Sequence, residues 1–295
     1  PTDTLRRVIA SDLDPDPGHD VAPHYLPDGR IVFSSTRQSQ SKAVLNDEGK
    51  PQFAALDEDR NEHAFVLHVM NADGSGIHQI SFNQSHDLDP AVLADGRIVF
   101  SRWENASGSS IHLYTVNPDG SGLELLYGAN SHATGTGTTA VQFLSPRPRP
   151  DGSIVALLRP FNGTELGGDP VSIDATSFVE IQQPTLPNAG LNGPAQTRLS
   201  VNDVRTDPGP SPGGRYASVF PLWDGTNRLL VSWSICRLLE GGLTVPCTAS
   251  RLADPAAVTA PPLYGVWIFD PRDGTQRPVL QPTEGVRYSD VVLMA

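Results

Sequence analysis

Short apolar runs separated by turn residues set the pattern of this chain. The runs at 31–33, 66–70 and 98–100 consist mainly of Val, Ile, Leu and Phe, and Gly, Pro, Asp or Asn lie close to their ends. Runs of this length, rich in β-branched and aromatic residues, predict β-strands, because a helix needs a longer segment with a period of 3.6. The 27 Gly and 27 Pro among 295 residues favour turns over helices. The pattern therefore predicts an all-β protein.

The predicted strands belong to a repeated unit. The unit begins with Asp-x-x-Pro, continues with Asp-Gly-Arg-Ile-Val-Phe-Ser and ends with Asp-Gly-Ser-Gly. Its first copy has these motifs at 20–23, 28–34 and 73–76, and its second copy has them at 87–90, 95–101 and 119–122. A third copy keeps Asp-Gly-Ser-Ile-Val at 151–155, and a fourth retains only β-type runs between 216 and 280. Because Asp-Gly between two such runs indicates a tight hairpin, each copy predicts a four-stranded antiparallel sheet.

A four-stranded sheet of this kind cannot bury both faces by itself. Several copies stacked radially give a continuous core, so the repeat predicts a β-propeller that forms a single domain over 1–295. The recognisable blades are expected at about 20–82, 86–128, 140–201 and 208–281. Residues 283–295 are expected to open a further blade, and residues 1–10 to supply a closing strand.

The motifs carry a family resemblance. Asp-x-x-Pro, Pro-Asp-Gly-Arg-Ile-Val-Phe-Ser at 27–34 and Met-Asn-Ala-Asp-Gly-Ser-Gly at 70–76 resemble the PD40 repeat of TolB-like six-bladed propellers. More narrowly, Ser-His-Asp-Leu-Asp-Pro at 85–90 with Gly-Arg-Ile-Val-Phe-Ser-Arg-Trp at 96–103 is similar to the propeller of hydrazine-synthase alpha-subunit-like proteins. The resemblance implies six blades, so the propeller is expected either to be incomplete in this chain or to hide degenerate strands within 160–260.

Charge and composition limit the classes of partner that this chain is expected to bind. The net charge of −12 and the absence of any long basic run argue against nucleic acid. The sequence contains no stretch of 18 consecutive apolar residues, so no membrane-spanning helix is predicted. The chain starts at Pro1 without a signal sequence, which predicts a processed end or a boundary within a larger chain or complex. A protein partner and a periplasmic or extracellular location are expected.

The two cysteines, Cys236 and Cys247, flank a segment that contains Gly and Pro. They are predicted to form a local disulfide, which suits an oxidising compartment. The alternative is a pair of buried free thiols. No Cys-x-x-Cys-His motif is present, so no haem is expected to be covalently attached to this chain.

Aspartate and glycine recur in register, and they are interpreted as structural repeat residues, because Asp before Gly accepts backbone hydrogen bonds in tight turns. A bound cation such as calcium is the alternative. The set comprises Asp20, Asp28, Gly29, Asp73, Gly74, Asp87, Asp95, Gly96, Asp119, Gly120, Asp151 and Gly152.

Three histidines are candidates for a metal or cofactor site. His19 and His86 precede the equivalent Asp of successive repeats, and His132 enters the third copy in a similar way. If these positions begin the innermost strands, neutral imidazoles could bind a transition metal or haem iron. The alternative is that they are polar residues hydrogen-bonded at the mouth of the channel.

The predicted function is that of a non-catalytic scaffold that binds a protein or peptide through polar insertions at 38–61 and 160–196. The first alternative is the propeller part of a redox enzyme or multihaem complex, with the three histidines at its site. The second is a hydrolase or lyase with a funnel-shaped active site. No catalytic motif is present, and the Gly-Pro-Ser-Pro-Gly sequence at 209–213 predicts a turn instead of a nucleophile elbow, so the sequence alone does not define an enzyme.

Overall fold

The structure is a computed structural model that describes residues 8–9, 18–38, 43, 46–47, 49, 54–57, 59–105, 110–161, 166–200 and 203–293. The chain divides into two compact units, unit 1 over Pro1–Leu126 and unit 2 over Tyr127–Ala295. No helix in the described ranges combines the length and the apolar character needed to cross a membrane.

Unit 1 contains two four-stranded sheets, each with its strands in chain order. The first sheet consists of β1 (Asp20–Tyr25), β2 (Ile31–Ser35), β3 (Val66–Met70) and β4 (His78–Gln79). The second consists of β5 (Asp87–Val92), β6 (Ile98–Glu104), β7 (Ser110–Val116) and β8 (Glu124–Tyr127), whose last residue begins unit 2. These sheets correspond to the first two copies of the sequence repeat.

Unit 2 contains two further four-stranded sheets. One consists of β9 (Val141–Pro148), β10 (Ile154–Pro160), β11 (Asp169–Ile173) and β12 (Gln196–Arg198). The other consists of β13 (Arg215–Pro221), β14 (Leu229–Ser234), β18 (Gly265–Asp270) and β19 (Thr275–Leu280). Two 3₁₀ turns, Thr136–Thr138 and Leu186–Asn188, lie in the connections.

A three-stranded sheet interrupts the last four-stranded sheet between β14 and β18. It has the order β16–β15–β17 and consists of β15 (Arg237–Glu240), β16 (Leu243–Pro246) and β17 (Val258–Thr259), with the short helix α1 (Ala249–Leu252) between β16 and β17. We call residues 235–260 the insert. The disulfide Cys236–Cys247 closes its first hairpin, with a Cα–Cα distance of 5.6 Å, and this confirms the predicted pairing.

The all-β prediction and the four-stranded antiparallel sheets are confirmed. The weak third and fourth copies contain the degenerate strands β11 and β12 and the insert, none of which the repeat motif marked. A further blade was expected to open at 283–295; residues 283–293 form no strand, and residues 294–295 lie outside the described ranges. Of the possible closing strand at 1–10, residues 1–7 and 10 lie outside the described ranges, and residues 8 and 9 form no strand.

The central strands bury both faces, which explains why they are almost continuously apolar. In unit 1, a core that includes Val32, Leu67, Val69, Ile98 and Phe100 forms where the two sheets pack together. In unit 2, the corresponding core contains Val155, Leu157, Tyr216, Val231 and Phe269. Each sheet is thus stabilised by the neighbouring sheet of its own unit.

Each four-stranded sheet has a β-bulge in its first strand. The extra residue coincides with the residue before proline in the first three sheets, and there the backbone is left-handed, with φ of 52° at Ala22, Asp89 and Ser145. In β13 the extra residue is Ala217, and its φ is not positive. A bulge therefore accompanies the x-Pro half of the Asp-x-x-Pro motif, also in β9, where the Asp is replaced by Phe143.

We expect Ala22→Gly to cost less stability than Ala217→Gly, by about 1 kcal/mol in the free energy of unfolding. A left-handed alanine is strained by about 1 kcal/mol, and glycine relieves this strain. At Ala217 glycine relieves no such strain and only increases the entropy of the unfolded chain. Urea unfolding of both variants measures the difference, and equal losses would contradict the strain at Ala22.

Candidate functional site

Two of the three candidate histidines lie in unit 1, in different surroundings. His19 is exposed, and its backbone N–H donates to Thr36 Oγ1 at 3.0 Å. His86 accepts a hydrogen bond at Nδ1 from the backbone N–H of Phe65 at 3.0 Å, and its ring stacks on Trp103 with centroids 5.7 Å apart. The Nδ1 lone pair of His86 is therefore already used within the protein.

The third candidate, His132, lies in unit 2. Its Nδ1 is 2.6 Å from the carbonyl oxygen of Val141, so Nδ1 carries the proton, and its ring packs against Phe143. In the part of the chain that the structure describes, no group of three or more His, Cys, Asp or Glu side chains is arranged to hold a metal ion. A metal or cofactor at the three histidines, or calcium at the repeated aspartates, stays a prediction.

The aspartates of the Asp-Gly turns direct their carboxylates to the backbone. In each turn a carboxylate oxygen accepts the N–H two residues further along, at 2.9–3.0 Å, as at Asp28, Asp95, Asp151, Asp73 and Asp119. The bond from the backbone N–H of Arg30 holds the pKa of Asp28 below its usual value. The following glycines have φ between 84° and 88°, which only glycine adopts without strain. These contacts are those of turn residues.

The aspartates that open β1 and β5 have different partners. Asp20 is partly exposed and accepts hydrogen bonds from Ser35 Oγ at 2.7 Å and from Nε and Nη2 of Arg37 at 2.9 Å. Asp87 is fully buried and accepts from Ser81 Oγ at 2.6 Å and Asn83 Nδ2 at 3.2 Å. Burial raises the pKa of Asp87 to about 6, although these hydrogen bonds and the charge of Arg102 oppose the shift.

Arg102 joins Asp87 to a wider network in unit 1. Its Nη1 is 3.5 Å from Asp87 and its Nε is 3.4 Å from Glu104 Oε1. Its guanidinium lies 5.4 Å from the centre of the Tyr114 ring, and the Tyr114 hydroxyl donates to Glu104 at 2.8 Å. Ser34 Oγ donates to the carbonyl oxygen of Asp87 at 3.0 Å, which ties β2 to β5. The network holds the two sheets of unit 1 together.

A small cavity in unit 2 has a different character. It lies at the start of β13, the end of β14 and the base of the insert, and its lining includes Ser211, Arg215, Ser234, Cys236, Arg237 and Thr259. Two arginines thus belong to the lining of one cavity, in a chain whose net charge is −12. Arginine side chains are groups that can bind an anion.

Arg215 is the more deeply buried of the two, with 8% of its surface exposed. Its guanidinium donates only to the carbonyl oxygens of Arg205 and Gly209, both at 3.4 Å. Among the described residues no carboxylate forms an ion pair with Arg215. The charge of Asp207 does interact with that of Arg215, but the Asp207 carboxylate is hydrogen-bonded to Arg205, which lowers the pKa of Asp207.

Arg237, the second cation, is the first residue of β15. Its Nη1 donates to the carbonyl oxygen of Pro261 at 3.3 Å, and its Nη2 donates to Glu284, whose side chain is 75% exposed. The Ser211 hydroxyl, in the Gly-Pro-Ser-Pro-Gly sequence, donates to the carbonyl oxygen of Gly214 at 2.6 Å. Ser211 is therefore held in a turn.

The insert presents an apolar surface beside this cavity. Ile235, Leu239, Leu243 and Val258 are between 42% and 70% exposed. Leu239 and Val258 lie directly opposite each other in the β15–β17 pair. Leu238, on the opposite face of β15, is buried. Leu243 lies opposite Glu240 in the β15–β16 pair, so its side chain is on the same face as Leu238. The face away from Leu238 therefore exposes the apolar pair Leu239 and Val258.

Solved structures of other proteins are similar to this chain to different degrees. A hydrazine synthase from Kuenenia stuttgartiensis aligns with 86% of this chain and 28% of its own, at 18% identity and a TM-score of 0.53. A puromycin hydrolase aligns with 92% of this chain and 39% of its own, at 18% identity and a TM-score of 0.41. A putative gluconolactonase aligns with 90% of this chain and 79% of its own, at 13% identity and a TM-score of 0.38.

Of these three structures, the hydrazine synthase is the one with a TM-score above 0.5. At 18% identity, its similarity to this chain concerns the fold alone. The chain is an all-β protein of antiparallel three- and four-stranded sheets with a propeller-type fold. It spans 28% of the length of that hydrazine synthase chain, so the fold occurs there as part of a longer chain. No protein-family model and no curated protein matches this sequence.

The sequence prediction placed binding at 38–61 and 160–196. Much of the first insertion lies outside the described residues, and the second contains β11 and the 3₁₀ turn Leu186–Asn188. The insert at 235–260 was recognised only as a disulfide loop, although its alternation of apolar and polar residues predicts strands. Arg215 left no signal, because an arginine at the start of a strand gives no indication of which groups face it.

We predict that Asp87→Asn changes the pH dependence of stability. The folded pKa of about 6 lies above the ordinary value of 3.8, so the unfolded chain loses this proton first and wild-type stability falls as pH rises from 4 to 6. The wild type should therefore lose on the order of 2 kcal/mol relative to the variant across this window. Urea unfolding at several pH values measures it, and parallel curves would contradict the raised pKa.

We predict that the double variant Cys236→Ser/Cys247→Ser loosens the insert. Closing a loop of this length contributes about 3 kcal/mol by restricting the unfolded chain. Hydrogen exchange should show faster exchange at the amides of β15–β17 and unchanged exchange in β9 and β10, which serve as the internal control. Unchanged protection of β15 would show that packing alone holds the insert.

Proposed function

We propose that this chain is a non-catalytic, TolB-like propeller module that docks a protein partner through the apolar face of the insert. The observation that carries the proposal is the exposure of the cross-strand pair Leu239 and Val258 on one face of the insert, whose first hairpin the disulfide closes. Ile235 and Leu243 are further exposed apolar residues of the insert. The module works in the periplasm or outside the cell, a location that the disulfide supports.

The apolar residues of the insert differ from scattered surface residues. Single exposed apolar side chains are normal, whereas a group of them on one element is typical of interaction sites. Leu239 and Val258 are cross-strand partners, so their side chains lie on the same face of the sheet. Burying this face against a partner would remove apolar surface from water, at about 25 cal/mol per Å².

The insert is also well suited to binding because it is ordered before a partner arrives. Strand pairing fixes the backbone of β15 on both sides, and the disulfide joins the two ends of the β15–β16 hairpin. Docking therefore requires little additional ordering of the backbone, which is one of the main entropic costs of association. A rigid element that carries exposed apolar residues is a common arrangement for recognition.

A role within a larger assembly agrees with the fold comparison. The matching fold of hydrazine synthase accounts for 28% of that chain, so the fold occurs beside other domains there. The redox alternative depends on His19, His86 and His132, and no contact between described residues supports a shared metal site for them. The hydrolase or lyase alternative likewise gains no support from the contacts of the cavity, where Ser211 is bonded to the backbone.

We predict that Leu239→Asp abolishes docking, because a carboxylate at the centre of an apolar interface must be desolvated. We expect the affinity for the proposed protein partner to fall at least tenfold. Leu186→Asp is the matched control, because Leu186 is 93% exposed in unit 2 but lies outside the insert. Affinity is measured with the immobilised chain and the partner purified from the native extracytoplasmic fraction.

The outcomes separate the possible occupants. Loss of binding in Leu239→Asp with retention in Leu186→Asp supports docking of a protein partner on the insert. If both variants bind like wild type, the insert is not the docking surface. If sedimentation shows a wild-type dimer that Leu239→Asp dissociates, the occupant is a second copy of this chain, and the proposed heterologous partner is wrong.

A further inference from the structure

The buried guanidinium of Arg215 is not explained by the fold. Burying a cation is expensive unless a carboxylate and good hydrogen bonds compensate for the lost water. Arg198 of the same unit has such a partner, Asp169 at 2.7 Å, whereas the buried Arg147 donates to the carbonyl oxygen of Pro146 and, unlike Arg215, does not line the cavity. Arg215 has two long bonds to carbonyl oxygens and no ion pair among the described residues. Its two long hydrogen bonds leave the buried guanidinium able to bind a ligand.

Arg237, the second cation of the cavity, is paired with a carboxylate that a ligand can displace. Arg237 pairs with Glu284, and a 75% exposed glutamate loses little on returning to water. A ligand carboxylate could therefore replace Glu284 at Arg237 while it also contacts Arg215. Both arginines belong to the lining of the same cavity.

The remaining lining indicates a carboxylate instead of a phosphate. The hydroxyls of Ser211 and Ser234 already donate to the carbonyl oxygens of Gly214 and Ile235. They are therefore not free to donate to the additional oxygens of a phosphate. Guanidinium groups match the two coplanar oxygens of a carboxylate through paired N–H donors. The nearby carbonyl oxygens also disfavour a dianion.

We propose that Arg215 and Arg237 form a carboxylate-binding pocket that receives an acidic group of the partner docked on the insert. The proposal rests on the docking function proposed above and adds the chemistry of the recognised group. Ile235 links the two parts, because it lines the cavity and is also 56% exposed on the insert. The partner segment then presents a carboxylate beside apolar side chains.

The pocket can be tested without the partner, using acetate as the probe. Trp233 is a built-in reporter, since its indole N–H donates to the carbonyl oxygen of Gly213 at 2.9 Å, next to Gly214 of the cavity lining. Titration with acetate should shift the Trp233 indole resonance in a saturable way. Acetamide, which is neutral and of the same shape, should not. Trp233→Phe assigns the resonance.

Variants then show whether the arginine binds the probe. Arg215→Gln should weaken acetate binding at least tenfold, since a charge-assisted pair is lost. It should also raise the Tm of the anion-free protein by a few degrees, because a buried charge without an ion pair among the described residues is removed. Arg272→Gln is the matched control, because Arg272 pairs with Asp270 on the surface of the same unit. A lowered Tm with unchanged acetate binding would overturn the pocket and make Arg215 a structural residue.

Further probes identify the ligand class and separate this proposal from the docking function. Tighter binding of inorganic phosphate than of acetate would overturn the carboxylate assignment. N-acetylleucine and the α-amide of N-acetylglutamate distinguish a chain-terminal from a side-chain carboxylate. Leu239→Asp should lose the partner yet keep acetate binding. If acetate fails to bind wild type while Leu239→Asp still loses the partner, docking stands and the carboxylate pocket is wrong.

Discussion

The central strands of this protein are apolar on both faces, and they must therefore be covered on both sides. Val32 and Val69 in unit 1, and Leu157 and Val231 in unit 2, are almost completely removed from water. A single four-stranded sheet would leave half of such residues exposed. Stacking of one sheet on the next is therefore a condition for each sheet to form, which is the physical basis of a repeat fold.

Buried polar groups define how the sheets stack. In unit 1, the carbonyl oxygen of Asp87 accepts a hydrogen bond from Ser34 of the preceding sheet, while its carboxylate is held by Ser81, Asn83 and Arg102. An isolated carboxylate would not remain in such a place, because its desolvation is unfavourable. The repeat thus places a polar group at a sheet junction and satisfies it with residues from the surrounding loops and strands. In the third sheet Phe143 occupies the corresponding position, so an apolar residue can serve there as well.

Arg215, in contrast, is a buried polar residue that no such network of carboxylates surrounds. Its guanidinium is almost as buried as the side chain of Arg102, yet it lacks the carboxylates that surround Arg102. A fold selected for stability alone gains nothing from such a group, whereas a binding pocket requires a cation that is not already neutralised. The insert supplies the rest of the proposed surface, because its disulfide and strand pairing keep the apolar residues exposed without local unfolding. Stability and recognition are therefore divided between the repeated sheets and the one element that departs from the repeat.

The sequence by itself determined the all-β class, the four four-stranded sheets and the disulfide. These features depend on local signals: β-type runs, Asp-Gly turns and a short Cys spacing. Only the tertiary structure decided that Ala22, Asp89 and Ser145 form bulges, because a left-handed residue before proline contradicts local preference and exists only when the sheet imposes it. The structure also decided which charges are compensated. Arg102 and Arg215 look alike in the sequence, and they differ because the fold brings the buried carboxylate of Asp87 close to Arg102, whereas no carboxylate of the described residues forms an ion pair with Arg215.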